Sequence, residues 1–177
     1  MTTLFGEIAR VGAGYDLRFE RTLATDVDDL WSALTDPERL ARWMNVYTGD
    51  LALGGTWHAL LDDGSDYAVG TVTACDPPRT FTTSWHAIEE QPTVLTVTVE
   101  AVPEGARLTL VHEGVQSIYY GPGWQTYLEQ LDDHLGAAST SVIDPDRVAG
   151  VPWDERYSAL RPVWDERFAA IRQPPVE

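Results

Sequence analysis

The feature that most constrains this chain is a double change of period between Tyr15 and Leu135. One strand-like stretch, Tyr15–Leu23, is followed by two short segments of helical spacing around Trp31 and Trp43. From Gly49 to Glu113 the apolar spacing falls to two, and from Trp124 to Leu135 the helical spacing returns. Side chains alternate across a strand and repeat every three to four residues along a helix, so such switches separate sheet from helix. Strand, two helices, a long antiparallel meander and a closing helix describe a curved sheet gripping one helix. A cavity between sheet and helix is expected.

The local signals agree with that outline. Thr25 is a good N-cap, with Asp28 three residues on in the capping-box position. Val27, Leu30, Trp31 and Leu34 then mark one apolar helix face. Asp36-Pro37-Glu38 restarts the chain, with Asp as cap and Pro at the first helical position, and Leu40, Trp43 and Met44 form the buried side. Strands are expected at Asp50–Leu53, Thr56–Leu61, Tyr67–Ala74, Thr80–His86, Val94–Val102 and Arg107–Glu113, rich in Val, Thr, Leu and aromatics. The separators Gly54-Gly55, Asp62-Asp63-Gly64-Ser65, Asp76-Pro77-Pro78 and Pro103-Glu104-Gly105 are turn-like and short, which implies antiparallel neighbours. Leu95, Val97 and Val99 alternate with Thr96, Thr98 and Glu100, so one face is buried and the other wet. The closing helix is expected over Gly123–Leu135, with Trp124, Tyr127, Leu128, Leu131 and Leu135 on its apolar side and Gly136 as its stop.

Three parts follow: a frayed N-terminal arm (residues 1–14), the sheet-and-helix domain (15–136) and a C-terminal extension (137–177) that is mostly loop and two short helices. The extension repeats itself at a spacing of 11 residues, Trp153-Asp154-Glu155-Arg156-Tyr157 and Trp164-Asp165-Glu166-Arg167-Phe168. Pro162 is expected to split it. The paired aromatics would line one face and dock on the body or on a partner subunit.

The 177 residues carry a formal net charge of -16, from 28 acids against 12 bases, and every base is Arg. Such a surface repels phosphate backbones and anionic lipids, which argues against nucleic-acid and membrane partners. The acids are scattered, as on a solvated face. Cys75 is the only cysteine, so no internal disulfide can form. No leader is apparent in Met1–Ala13, and no apolar run approaches the roughly 20 residues a membrane span needs. A cytoplasmic protein is expected. Seven Trp and seven Tyr favour a large core, an aromatic-lined pocket, or both.

In order, several motifs resemble a known family. They are Phe19-Glu20-Arg21-Thr22-Leu23, the run Val27-Asp28-Asp29-Leu30-Trp31 through Asp36-Pro37-Glu38-Arg39-Leu40-Ala41-Arg42-Trp43, and Gly54-Gly55-Thr56-Trp57. They continue with Gly70-Thr71-Val72, Asp76-Pro77-Pro78-Arg79-Thr80-Phe81, Trp85, Leu108-Thr109-Leu110-Val111-His112-Glu113-Gly114 and Gly123-Trp124. Over residues 15–136 the chain resembles the activator of heat-shock protein 90 ATPase homologue-like branch of the START/Bet v-like (SRPBCC) superfamily. The resemblance implies an α+β helix-grip fold: a seven-stranded antiparallel curved sheet around the long helix, with two short helices closing one end. It also implies a deep cavity, used across the superfamily for lipids, sterols, polyketides and aromatic metabolites and in some members for cyclisation or hydrolysis. Co-chaperone activity does not follow from the branch name, because fold does not carry function; a chaperone-linked or regulatory role in the stress response stays an alternative.

Strand parity selects the candidate site. If Leu108 and Leu110 face the helix, so does His112; Trp57 with Ala59, and Phe81 with Thr83 and Trp85, point the same way, leaving His58 and His86 outside. His112 is either a core histidine bonded to a backbone carbonyl or Tyr, or the group that orients a ligand or acts as acid or base. The ligand-binding candidates are Trp57, Trp85, His112, Tyr119, Tyr120, Trp124 and Tyr127; the aromatics among them are pocket wall or core filling. Tyr119 and Tyr120 precede the long helix, where the cavity mouth is expected. Metal and cofactor are expected to be none, since no HxH, HExxH or CxxC spacing occurs. His134, near the helix C-terminus, is better explained as an imidazolium favoured by the dipole. Cys75 is read as small apolar filler, and the pairs Asp62-Asp63, Glu89-Glu90 and Asp132-Asp133 as solvated surface. The first expectation is a binding protein for a small apolar or aromatic ligand. A cyclase- or hydrolase-type enzyme using His112, a chaperone-linked interaction protein, and a homodimer through sheet edge or tail stay open.

Overall fold

The structure, a computed structural model, describes residues 6–135 and 151–172. Its strands are β1 (Glu7–Val11), β2 (Gly14–Leu23), β3 (Val46–Gly49), β4 (Thr56–Leu60), β5 (Asp66–Asp76), β6 (Thr80–Ala87), β7 (Thr93–Val102) and β8 (Gly105–Val115). Helices α1 (Val27–Thr35) and α2 (Pro37–Trp43) follow β2, α3 (Tyr120–His134) follows β8, and α4 (Trp153–Arg172) ends the described chain. The strands form one antiparallel sheet in the order β1-β2-β8-β7-β6-β5-β4-β3. This is the α+β helix-grip architecture with eight strands rather than seven.

The added strand comes from the expected N-terminal arm. Glu7 pairs with Arg18 and Val11 with Gly14, leaving a two-residue turn. Gly12 takes φ 59 there, a left-handed geometry that glycine adopts without a Cβ clash. Glycines that read as loose chain are the hairpin turn.

The period-two pattern places its residues as expected. Leu95, Val97 and Val99 are buried, and so are Leu108, Leu110 and His112 on the neighbouring strand. The expected strand Asp50–Leu53 moves back to Val46–Gly49. Asp50 Oδ1 accepts from the Ala52 N–H at 2.9 Å, folding residues 50–53 into a turn. Its cap role outweighs the strand propensity of Leu51 and Leu53. Helix α1 is capped by Asp26, which accepts from the Asp29 N–H, rather than by Thr25, whose hydroxyl donates to Asp29 Oδ2. Helix α2 starts as expected, with Asp36 capping and Pro37 leading.

Helix α3 begins at Tyr120, three residues before the expected start, with Pro122 in its first turn. Leu135 is its C-cap, and the Gly136 stop and the 137–150 loop lie outside the described residues. The extension holds one 20-residue helix, α4, that runs through Pro162. Arg156, Leu160, Trp164 and Phe168 recur every fourth position and are all buried. Trp164 and Phe168 pack on Phe19 and Tyr15, and Trp164 lies over Gly121 of α3, where a Cβ would come within 2.3 Å of its ring. That continuous face compensates the one hydrogen bond Pro162 cannot donate. Among the described residues, no helix is long and apolar enough to cross a membrane.

Candidate ligand-binding site

The site grows from the inward row of the sheet. Trp57 (β4), Trp85 (β6) and His112 (β8) share one face, and α3 brings Trp124 and Tyr120 down onto it. Ring centroids of Trp57 and Trp85 lie 5.2 Å apart, Trp85 and Trp124 5.5 Å, and His112 and Tyr120 4.7 Å. These tilted and edge-on contacts suit aromatic quadrupoles.

His112 is fully buried, and both ring nitrogens are engaged. The Trp124 indole N–H donates to Nδ1 at 2.9 Å. Indole only donates, so Nδ1 carries the lone pair and the proton sits on Nε2. Nε2 lies 2.7 Å from Thr93 Oγ1, whose own hydroxyl donates to the Trp85 carbonyl at 3.0 Å. The relay therefore runs one way, from indole to imidazole to hydroxyl to carbonyl. Burial pushes the imidazole pKa down to about 3. His112 is a neutral core histidine that clips α3 to β6, β7 and β8. Neither nitrogen is open to a substrate.

Beyond this layer lies a cavity of about 880 Å³, within the size range of ligand pockets. Trp85 and Trp124 form part of its wall, with Tyr67, Tyr119, Tyr120 and Tyr127 beside them. Tyr119 is half exposed, with the Arg161 guanidinium 4.3 Å from its ring centroid. The N-terminal turn of α4 closes another side with Trp153 and Tyr157, whose rings stack at 4.7 Å. Trp153 also meets Tyr127 at 5.8 Å.

Polar groups punctuate the wall. The Tyr127 hydroxyl donates to Asn45 Oδ1 at 3.1 Å, and the Tyr120 hydroxyl to Glu90 Oε2 at 2.5 Å. Burial raises the pKa of Tyr67, Tyr120 and Tyr127, so all three stay protonated donors at neutral pH. The Trp85 indole N–H is buried without a hydrogen-bond partner. It lies near enough to the Tyr120 hydroxyl to lower that group's pKa, without reaching hydrogen-bond geometry.

Helix α4 is held in place by buried charge. Arg156 donates to Glu129 at 3.3 Å and to Asp133 at 2.8 Å, and the Trp164 indole N–H donates to Gln125 Oε1 at 2.8 Å. Arg21, buried on β2, feels the charges of Asp132 and Glu129. At the far end of α3, Arg39 Nε donates to His134 Nε2 at 3.4 Å.

Of the sequence candidates, Trp85, Tyr119, Tyr120, Trp124 and Tyr127 line the cavity. Trp57 and His112 do not. Trp57 sits behind Trp85 with its N–H donated to Thr83 Oγ1 at 2.7 Å, and His112 lies beneath Tyr120 and Trp124. Parity gave both the correct face but not the depth. Two surface assignments and the imidazolium reading of His134 also change. Glu90 turns inward to Tyr120, Asp132 is buried, and His134 is held toward the neutral form by burial and by Arg39 and Arg42. Tyr67, Asn45, Glu90, Trp153 and Tyr157 escaped the sequence reading as wall residues. The 11-residue echo was the available signal for the last two. Among the described residues, no group of three or more His, Cys, Asp or Glu could hold a metal ion.

The family described as Activator of Hsp90 ATPase homolog 1-like protein matches residues 24–136. No curated protein matches the chain. Among solved structures, the crystal structure of CalU16 from Micromonospora echinospora is 25% identical, with 89% of this chain and 94% of that one covered at a TM-score of 0.64. DynU16, from the dynemicin biosynthetic locus, is 19% identical over 71% of this chain and 48% of its own, with a TM-score of 0.61. The Aha1 dimer from Colwellia psychrerythraea is 18% identical over 68% of this chain and 95% of its own, with a TM-score of 0.58. The latter two likenesses concern the fold alone.

Proposed function

The chain belongs to the Activator of Hsp90 ATPase homolog 1-like family, and from that premise we propose that it is a binding protein for a small, largely aromatic metabolite. The ligand sits in the cavity between the sheet, α3 and the first turn of α4. The observation that carries this reading is the cavity itself, about 880 Å³ and walled by Trp85, Trp124, Tyr120 and Tyr127 around a buried, unpaired indole donor. An apolar wall with a few oriented polar groups is the usual construction of a small-molecule site. The likeness to CalU16 supports the sheet-and-helix architecture in which this cavity lies. Catalysis is not part of this reading, because His112 spends both nitrogens inside the core. A chaperone-linked role would need a protein-docking surface, and the cavity argues instead for a small ligand. A cytoplasmic location accords with one unpaired cysteine.

The test is a thermal-shift and calorimetric screen of polyketides, flavonoids, sterols and fatty acids against the full chain. A ligand at 100 times its Kd should stabilise the fold by about 2.7 kcal/mol. Trp85 and Trp124 make fluorescence quenching a second readout. If no aromatic compound shifts the melting temperature or quenches fluorescence, the binding role fails.

A further inference from the structure

Resting on the cavity as the ligand site, we propose that it selects ligands with a protonated amine on a planar body that also carries a neutral hydrogen-bond acceptor, and that it rejects carboxylates. Glu90 is the amine's partner. Its Oε2 accepts from Tyr120, and among the described residues no cation pairs with it. Tyr120, Tyr67 and Trp85 line the same cavity, the last two with rings 6.3 Å apart edge to face. Glu90's charge is near enough to Tyr67 to help raise that hydroxyl's pKa. A carboxylate in a cavity walled by electron-rich rings is a combination that suits organic ammonium groups. An uncharged body would leave this carboxylate without a counter-ion.

Trp85 supplies the second half of the selection. It is 3% exposed and lines the cavity, and its indole N–H, beside the Tyr120 hydroxyl, meets no acceptor in hydrogen-bond geometry. A buried donor without an acceptor is destabilising, and a ligand carbonyl would remove that penalty. The remaining charges exclude anions: Asp62 and Asp154 line the same cavity as Glu90, against the guanidinium of Arg42. A fatty-acid or aryl carboxylate would lose its water to face them.

The experiment is isothermal titration calorimetry of the full chain with four matched probes. These are 2-(aminomethyl)anthraquinone, 2-(hydroxymethyl)anthraquinone, anthraquinone-2-carboxylate and 2-(aminomethyl)anthracene. The anthraquinone amine should bind roughly tenfold tighter than the alcohol, and the carboxylate weakest. The carbonyl-free anthracene amine should bind roughly five- to tenfold weaker than its anthraquinone counterpart. The net charge of -16 attracts any cation, so the decisive comparison is Glu90→Gln, which keeps an acceptor for Tyr120. In that variant the amine should fall to the level of the alcohol, whose own affinity stays within about twofold, while Glu104→Gln, which removes one charge from the exposed turn between β7 and β8 away from the cavity, leaves the amine preference intact. An amine preference that survives Glu90→Gln overturns the proposal, as does a carboxylate that binds as tightly as the amine. Equal affinity of the two amines removes the acceptor at Trp85. If the alcohol binds without preference for the amine, the selectivity fails and the binding role stands. If none of the four binds while another compound of the screen does, the selectivity fails and the binding role stands.

Discussion

At the scale of a residue, His112 has a measurable signature. Its neutral form is required, because a proton on Nδ1 would face the Trp124 N–H. The folded pKa of about 3 lies below the ordinary 6.5. Between those values the unfolded chain binds a proton at this position and the folded chain does not. The stabilisation is complete above pH 6.5 and drains away as pH falls toward 3, by about 1.4 kcal/mol per unit. Urea denaturation at pH 7 and pH 5 should show wild type losing about 2 kcal/mol more than His112→Gln. The variant starts less stable but lacks that proton uptake. Equal losses would mean the imidazole is not held neutral. Parity identified this residue's face because alternation is local. Its partners Thr93 and Trp124 come from β7 and α3, and no spacing around His112 encodes them.

At the scale of an element, α4 records a contest between propensity and packing. Pro162 says that the helix should break, and sequence spacing alone gives no reason to disagree. The stripe Arg156, Leu160, Trp164 and Phe168 overrules it by docking on α3 and β2. An 11-residue shift returns a helix to nearly the same face about 16 Å along. The two aromatic pairs therefore share one face but do different work, Trp153 and Tyr157 at the cavity and Trp164 and Phe168 in the core. The acids of α3 were illegible for a related reason. Asp132 and Glu129 look like surface residues until Arg21 and Arg156 arrive from β2 and α4. Glu129 is fully buried and Arg156 2% exposed as side chains. Arg156→Met would take the salt-bridge partner from that buried carboxylate, leaving it Gln125 and the charge of Arg21, at a cost of about 3 kcal/mol. The double change Arg156→Met with Glu129→Gln removes the orphan charge and should recover more than half of that loss. Chemical denaturation of both variants checks it; a double variant no better than the single would mean the pair does not act as one unit.

At the scale of the whole molecule, the grip of sheet on helix was legible because its signals are short-range: alternation, caps and turn residues. The cavity's depth was not, because it depends on how far α3 and α4 stand from the sheet. That distance is set by rings such as Trp124, Tyr127 and Trp153, which meet only in the folded state. The site is thus a joint product of the sheet domain and the extension, and removal of residues 137–177 should reveal it. The truncated chain loses Trp153, Asp154 and Tyr157 from the wall. It also uncovers the Phe19 and Tyr15 rings that Trp164 and Phe168 cover, and strands Glu129 without Arg156. Newly exposed apolar area of this kind drives self-association. We expect the truncated protein to elute as aggregates in size-exclusion chromatography, to bind a hydrophobic dye, and to lose affinity for any ligand found in the screen. A monomeric truncation with undiminished affinity would confine the site to the sheet and α3. The aromatic turn of α4 would then be a bystander to binding, and Tyr119, Tyr120 and Glu90 would have to hold the ligand without a cover.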